Sequence, residues 1–435
     1  MMRNLCNRFA REDGVVTALG LFLLLAILMV GGLAIDFSNA VAARTRLQIT
    51  ADSAAHAALY KRELLTEDEA KAAAIELVTR NMPPEAFGEA LLPEDIVFGR
   101  WDRDADLFEP VPGSRQAVLV RTAQLEERQN SVAVFLLRLV GMNSWDVLAP
   151  SVFETYYPTC LREGMVGDVL VDVQSNNLYE SGFCLHSNGH VSVNSNNVFE
   201  QGTVVSMPDI RDIELPKSGF EKNEGLQYAL RDGVYPLKIL DRINAIYNGV
   251  QSMGSDYMPA YITSDIVIEV SSNNGNFDQT MFQNGRVHRV VCKNSGANIV
   301  AGTLLSELVI VTDCDLKFGA GARLEDVVIV TRNTGDKSVY AAAGLQVGRN
   351  DNCAPGGGAQ IVTYGGIGIP SDLQMYGGQM IAAKNIAFTA NADGIQGAAF
   401  VAGGTVSGTS NGSMAFCGGA GMENNFEAAY FRLAR

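Results

Sequence analysis

Seven cysteines carry the first chemistry legible in this chain. Cys6 precedes a long apolar run, while Cys160, Cys184, Cys292, Cys314, Cys353 and Cys417 follow it. Thiols pair in an oxidising compartment and stay reduced in the cytosol, so this division fits a chain that crosses a membrane between the two groups. Among the possible connectivities the sequential one is the simplest: Cys160 with Cys184, Cys292 with Cys314, Cys353 with Cys417. Closing one of the shorter loops this way adds roughly 3 kcal/mol in the chain-entropy model. No Cys-x-x-Cys pair is present, so zinc is not indicated. His186 and His190 stand four apart, a metal-ligand spacing on a helix, but Ser187-Asn188-Gly189 between them reads as a turn. His288, between Arg286 and Arg289, reads as a coil-surface residue. Asp313 and Asp315 flank Cys314 and would share one strand face, with Glu325 and Asp326 as additions to the same carboxylate cluster. Paired carboxylates cleave glycosides, but they are also common on solvated strand ends.

No phosphate loop, dinucleotide fingerprint or nucleophile elbow is present, and Gly356-Gly357-Gly358 lacks a following Lys. The sequence therefore offers no catalytic, cofactor-binding or metal-binding set, and the expectation is a non-enzymatic protein without a cofactor. The net charge of -15 argues against a nucleic-acid partner and against electrostatic clamping of anionic lipid.

The elements that would carry these residues begin with the apolar run. Gly14 to Ile35 holds no charge and, at 1.5 Å per residue, spans roughly 33 Å, against a hydrocarbon core of about 30 Å. Arg3, Arg8 and Arg11 precede it, which puts the N-terminus in the cytoplasm and the bulk of the chain beyond the inner membrane, in the periplasm. Ala40-Val41-Ala42 satisfies the small-x-small rule of a cleaved signal peptide, but the run is longer than such h-regions. Leu19 stands where a processed type IV pilin would carry Glu. The stretch from Asp36 to Lys61 stays helical and lines one face with Ala40, Ala43, Leu47, Ala51, Ala54 and Ala58. Small residues permit close helix approach, and Ala43, Leu47, Ala51, Ala54 and Ala58 are the helix-packing candidates. Two uses are open: packing on the protein's own globular domain, or on a neighbouring subunit.

Gly31-Gly32-Leu33-Ala34-Ile35-Asp36, Arg44-Thr45-Arg46-Leu47-Gln48 and Ala51-Asp52-Ser53-Ala54-Ala55-His56-Ala57-Ala58 occur in that order. This resembles the N-terminal region of TadE/TadG-like Tad (Flp) pilus-assembly proteins. The resemblance implies an inner-membrane anchor working with other Tad pilus-assembly or pilin-like subunits. Many TadG-like proteins also carry a metal-binding Asp-x-Ser-x-Ser loop. Asp36-Phe37-Ser38-Asn39-Ala40 lacks its second Ser, so metal-dependent adhesion is not carried over.

Beyond the anchor, Asp95 to Trp101, Ala117 to Arg121 and Trp145 to Tyr156 read as strands and Ser131 to Leu139 as a helix, a small α+β pilin-like module. The Asp-rich stretch Asp102 to Asp106 reads as a hairpin turn, lacking the Gly and Glu of a calcium loop. The C-terminal half repeats. Val171-x-Val173-x-Ser175-Asn176-Asn177 returns at Val191 to Asn197 and again at Ile268 to Asn274, and Leu305 to Thr312 is echoed by Leu324 to Thr331. Short strands recurring between Gly/Asn turns predict a parallel β-helix. Gln360-Ile361-Val362, Gln379-Met380-Ile381-Ala382, Ala399-Phe400-Val401-Ala402 and Met414-Ala415-Phe416-Cys417 continue it less regularly. The module and the terminal Glu427 to Leu433 segment are candidate caps. Pro236 is placed to start a covering helix on which Leu237, Leu240, Ile243, Tyr247 and Val250 share a face.

The expected organisation is thus a tail, transmembrane helix and Ala-rich extracytoplasmic helix over 1–62, an α+β module over 63–158, and a disulfide-stabilised parallel β-helix over 159–435 with a partly helical insertion at about 208–261. The expected role is a minor pilin-like or accessory component of Tad-type pilus assembly. A polysaccharide-binding or polysaccharide-cleaving β-helix is the alternative, with envelope glycan as its partner.

Overall fold

The computed structural model describes residues 13–293, 296–408 and 410–435. Arg3, Cys6, Arg8 and Arg11 lie outside the described residues. Two compact units emerge, one ending at Tyr156 and taking back Ala429–Arg435, the other Tyr157–Ala428.

The first unit is built on one helix, α1 (Asp13–Arg62). Nothing between Gly14 and Lys61 breaks it: no Pro interrupts, and the β-branched residues are scattered. A second helix, α2 (Glu67–Asn81), opens with a capping box between Thr66 and Glu69. Strands β1 (Ile96–Asp102), β2 (Leu107–Pro110), β3 (Ala117–Gln124) and β4 (Val147–Tyr156) follow. All pair antiparallel, and the last strand, Tyr430–Leu433, adds to the free edge of β4. From Ala429 on the terminal segment belongs to this unit and completes its sheet, a correction to both the candidate cap and the 159–435 boundary. Asp102–Asp106 is the β1–β2 hairpin turn, in which the Asp102 carboxylate accepts from the backbone of Asp104 and Ala105. Ser131–Leu139 is not a helix. It forms a short strand (Val132–Ala133) and then a 3-10 turn (Leu137–Val140), for a reason given below.

The second unit is a three-sided parallel β-solenoid of about 12 turns. Interior side chains stack turn on turn, as at Met165, Leu185 and Val205 and at Leu308, Val327 and Ala359. Tyr179 lies on Phe199 at 4.9 Å and Phe388 on Phe400 at 4.4 Å. Corners are made by left-handed residues: Asn176, Asn196 and Asn411 have φ of 63°, 65° and 58°, a conformation Asn tolerates better than most residues. Their side chains ladder, Asn196 donating to Asn176 and Asn176 to Asn411. The buried Asn177 Oδ1 accepts from Gly412, while Asn197 Oδ1 accepts from the Asn177 amide.

The stacking order departs from chain order. The turn beginning at Gly164 is covered on one side by the turn beginning at Cys184 and on the other by Ala399–Ala402. The chain winds outward through Val204–Met207 and Leu230–Asp232, then starts again at the opposite end with Ser264–Ser271 and winds back to the first turn. Asn223–Glu224 and Leu230–Asp232 still pair within the solenoid, so the expected insertion shrinks to about 233–263. That segment runs along the first face, the one that holds Gly164–Gly167, Cys184–Ser187 and Val204–Met207, the second being that of Leu170–Val173 and His190–Val193: Tyr235 meets Asn188, Asn244 meets Tyr364, Gln251 meets Arg289, and Met253 meets Asp265. It is two short helices, Lys238–Asp241 and Ile243–Gly249, broken at Arg242. Ile239 is buried where Leu240 was expected, and Leu237, Ile243, Tyr247 and Val250 are buried as the shared face requires. Under this strap the solenoid strands are apolar on both sides, Val309, Val311, Val328 and Val330 being buried outside the core line.

Two readings of the repeats divide here. Leu305–Thr312 and Leu324–Thr331 pair residue for residue one turn apart. The copy at Ile268–Asn274 is not equivalent to the other two: Ile268 and Val270 belong to the first face, beside His288 and Val290, whereas Val171 and Val191 belong to the second.

Candidate functional site

The anchor helix has two environments. From Val16 to Ile35 its large apolar side chains stand bare, Phe22 at 73% and Val30 at 69% exposure, as the lipid-facing surface of a membrane span does. It is one helix long and apolar enough to cross a membrane, near the N-terminus. Further along, Ala43, Leu47, Ala51, Ala54 and Ala58 are all at 0% exposure. Most of them share a core with Ala70, Ala74 and Val78 of α2 and Val118, Val120 and Ala149 of the sheet. The small-residue face is therefore filled by the protein's own domain. The exposed line on this part of α1 runs instead through Val41, Thr45 and Ile49.

At the junction of the two environments sits Asp36, 2% exposed. Its carboxylate accepts three backbone N–H groups, from Phe135 at 2.7 Å, Leu136 at 2.9 Å and Leu137 at 2.7 Å. In a helix over Ser131–Leu139 these three amides would be committed to the carbonyls four residues back, so their donation to Asp36 displaces the helix that the periodicity suggests. Asp36 was legible as the end of the apolar run; its partners, a hundred residues on, were not.

The second candidate is a groove between the strap and the first face of the solenoid, about 380 Å³, lined by Tyr247, Asn248, Gln251, Arg289, Asp313 and Arg332. Arg332 Nε and Nη2 donate to the two Asp313 oxygens at 2.7 and 3.0 Å. The guanidinium lies over the Tyr247 ring at 4.7 Å. The side-chain hydrogen bond from Arg332 holds the Asp313 carboxyl below its ordinary range, and Asp313 in turn raises Arg332. Arg289 donates to Gln251 at 2.8 Å. Tyr and Arg side chains with an amide beside them suit hydroxyl-rich or anionic ligands. Arg332 had a signal in the sequence: it follows Thr331 in one repeat as Asp313 follows Thr312 in the other, so the two sit on adjacent turns.

The expected carboxylate cluster is not assembled. Asp313 follows the first-face strand Leu308–Thr312, whereas Glu325 and Asp326 precede the next one, at the opposite corner. Asp326, at φ 53°, accepts from the Gly357 amide. His186 and His190 are separate too. His186 is buried beneath Tyr235, bonded to Ser206 and Asn188, and burial lowers its pKa. His190 faces Glu214 at 3.4 Å. His288 is not on the surface. It is fully buried, edge-on to Phe282 at 5.3 Å, with Nε2 accepting from Gln283. It shares a strand face with Val290, a core residue, and that alternation outweighs the flanking arginines. Among the described residues no three His, Cys, Asp or Glu side chains gather as a metal site.

The cysteines pair as Cys160–Cys184, Cys292–Cys314 and Cys353–Cys417. The second bond joins adjacent turns. The first ties the entry of the chain into the solenoid to its second turn, and the third ties the loop after Gln346–Val347 to the last turn.

Residues 164–418 match the family model described as Domain of unknown function (DUF7867), and residues 14–74 match the Flp pilus-assembly TadE/G-like model. No curated protein and no solved structure gives a significant match.

Proposed function

The chain belongs to the Domain of unknown function (DUF7867) family, and from that premise and its TadE/G-like head we propose a non-enzymatic minor pilin-like or accessory component of Tad-type pilus assembly. The observation that carries this reading is the coincidence of the matched residues with α1, bare over its apolar half and sealed into a small sheet over the rest. In this reading the helix holds the protein in the inner membrane with its N-terminus cytoplasmic and the disulfide-bonded solenoid periplasmic. Arg3, Arg8 and Arg11 before the span, and three disulfides after it, support that orientation. Neighbouring pilin-like subunits would meet Val41, Thr45 and Ile49, since Ala43, Leu47, Ala51, Ala54 and Ala58 are already occupied.

The test is a pilus count by electron microscopy in a strain lacking the gene, with a complemented control. Loss of pili restored by complementation supports the role; normal piliation removes it. Cross-linking in a Cys6→Ser background then separates the helix faces. Thr45→Cys and Ile49→Cys are expected to trap a neighbour, and Ala43→Cys and Ala54→Cys are not. The groove favours a second reading, a polysaccharide-binding solenoid. Retention of envelope polysaccharide that is lost in Tyr247→Ala and Arg289→Ala would establish it.

A further inference from the structure

The turn that Asp36 holds has more exposed apolar surface than a connection in water needs. Phe135 is 62% exposed, Leu136 39% and Met142 45%, all within one short segment between Val132–Ala133 and Ser144–Trp145. Its position on α1 is equally specific. A Cβ built on Gly32 would come within 2.8 Å of the Leu136 Cβ, so the turn lies against the helix where only a glycine leaves room. Gly32 precedes Asp36 by one helical turn, about 6 Å along the axis, and so lies inside the apolar run. Trp145 and Phe37 meet edge-on at 6.4 Å at the base of the same segment, and Trp is enriched at headgroup level.

We propose that residues 133–143 form a second membrane contact, a finger that inserts Phe135, Leu136 and Met142 into the lipid beside the span. The proposal rests on the reading of α1 as a membrane helix, and lipid is the occupant because the finger is continuous with that lipid-facing surface. Its backbone is prepared for the move. A segment leaving water must satisfy its own N–H groups. Here Asp36 takes those of Phe135, Leu136 and Leu137, while Val134 donates to Asn143, Gly141 to Arg138 and Met142 to Leu137. Asn39 supplies a donor to the Ala133 carbonyl. Interfacial segments bury their apolar face about 5–10 Å deep, which matches the depth of Gly32. The finger would fix the tilt and rotation of α1 relative to the bilayer, because a helix alone can swivel about its axis.

Full-length protein is reconstituted in phosphatidylcholine vesicles with acyl-brominated lipid as the quencher, in a Trp101→Phe, Trp145→Phe background. Single tryptophans are placed as Phe135→Trp, Met142→Trp, Val30→Trp within the span, and Leu64→Trp past the far end of α1. The expected result is quenching and an emission blue-shift at 135 and 142 approaching those at 30 and severalfold beyond those at 64. Quenching at 30 with none at 135 and 142 overturns the finger and leaves the anchor standing, as would happen if a protein partner covered the segment. Absence of quenching at all four overturns the anchor and the finger together. Two reporters on the finger guard against one substitution disturbing its own site.

Discussion

Replacing Asp36 should open the finger without unfolding the sheet behind it. The carboxylate accepts three amides at 2.7 to 2.9 Å and is almost wholly covered. Hydrogen bonds to a charged partner contribute roughly 1.5–3 kcal/mol each. Asp36→Ala removes both acceptor oxygens and with them all three hydrogen bonds, but the released amides recover part of this by meeting water or headgroups. A net loss of about 2 kcal/mol in local opening free energy is expected, which is about 30-fold faster amide exchange. Asp36→Asn keeps one oxygen in the place of the atom that serves Leu136 and Leu137 and turns an NH2 toward Phe135. It should lose about 1 kcal/mol, near 5-fold. The assay is hydrogen–deuterium exchange on full-length protein in nanodiscs, read on the peptide containing 135–137 and on the peptide covering β3. The ranking Ala above Asn above wild type on the first, with no change on the second, is the expected pattern. Equal exchange at 135–137 in all three proteins would show that Asp36 does not hold the finger. A matching loss on β3 would show that Asp36 supports the whole unit instead.

Three further outcomes follow from the solenoid. Asn177 is buried, accepts from Gly412 at 2.9 Å and donates to Gln174 at 3.0 Å; Asn177→Ala leaves both unmet and should cost about 2–3 kcal/mol, against about 1 kcal/mol for the exposed left-handed Asn176→Ala, both read as shifts of the denaturation midpoint. The Cys353–Cys417 bond spans 64 residues, so the Cys353→Ser, Cys417→Ser pair should lose up to about 4 kcal/mol in a thermal melt, more than either of the shorter-loop disulfides. Burial lowers His186 and His288 from their ordinary 6.5. The folded state thus binds fewer protons than the unfolded one, so stability is complete above pH 6.5 and falls as pH drops through 6.5 toward the folded values. His186→Gln and His288→Gln should each flatten that fall in melts between pH 7 and pH 5, and an unchanged slope would refute the assignment.

What the sequence disclosed depended on whether the deciding contact was local. The apolar run, the Ala-spaced helix face and the paired repeats 305–312 and 324–331 are set by short-range periodicity, and the structure places each as that periodicity requires. Ser131–Leu139 carries a helical pattern, yet Asp36 outcompetes it from far along the chain. His288 alternates with Val290 onto the core face, but Arg286 and Arg289 on either side drew the reading outward. Ile268–Asn274 matched in residue type alone, which cannot say which of three faces a strand occupies. A better fourth copy was present: Ser410-Asn411-Gly412 repeats the corner of Ser175-Asn176-Asn177, and Asn411 ladders to Asn176. The groove was unreadable because Tyr247 and Gln251 reach it from the strap, and nothing local announces where the strap will lie.

The stacking order changes what kind of solenoid this is. In a linear repeat protein each turn touches only its sequence neighbours, so folding can begin anywhere and the chain ends are the weak, capped ends. Here the chain ends of the solenoid meet in the middle of the stack, through Ala399–Ala402 on Gly164–Gly167 and through Asn411 on Asn176, contacts 235 residues apart. The physical ends are instead internal to the chain. One carries Leu226 and Ala229, both buried, and the other Phe277 and Phe282, also buried. The strap joins these two ends, so neither can fray without pulling on a segment packed along the whole first face. Closing such a seam pairs strands 235 residues apart, a costly long loop closure. Each half carries its own disulfide near or across adjacent turns, Cys160–Cys184 in one and Cys292–Cys314 in the other. The first lies beside the seam, the second joins turns near the far physical end, and Cys353–Cys417 ties the last turn, which borders the seam, to the loop after Gln346–Val347. A stack built this way gives up nearest-neighbour folding and gains a body whose ends are tied to each other, suited to present a rigid surface from a membrane anchor.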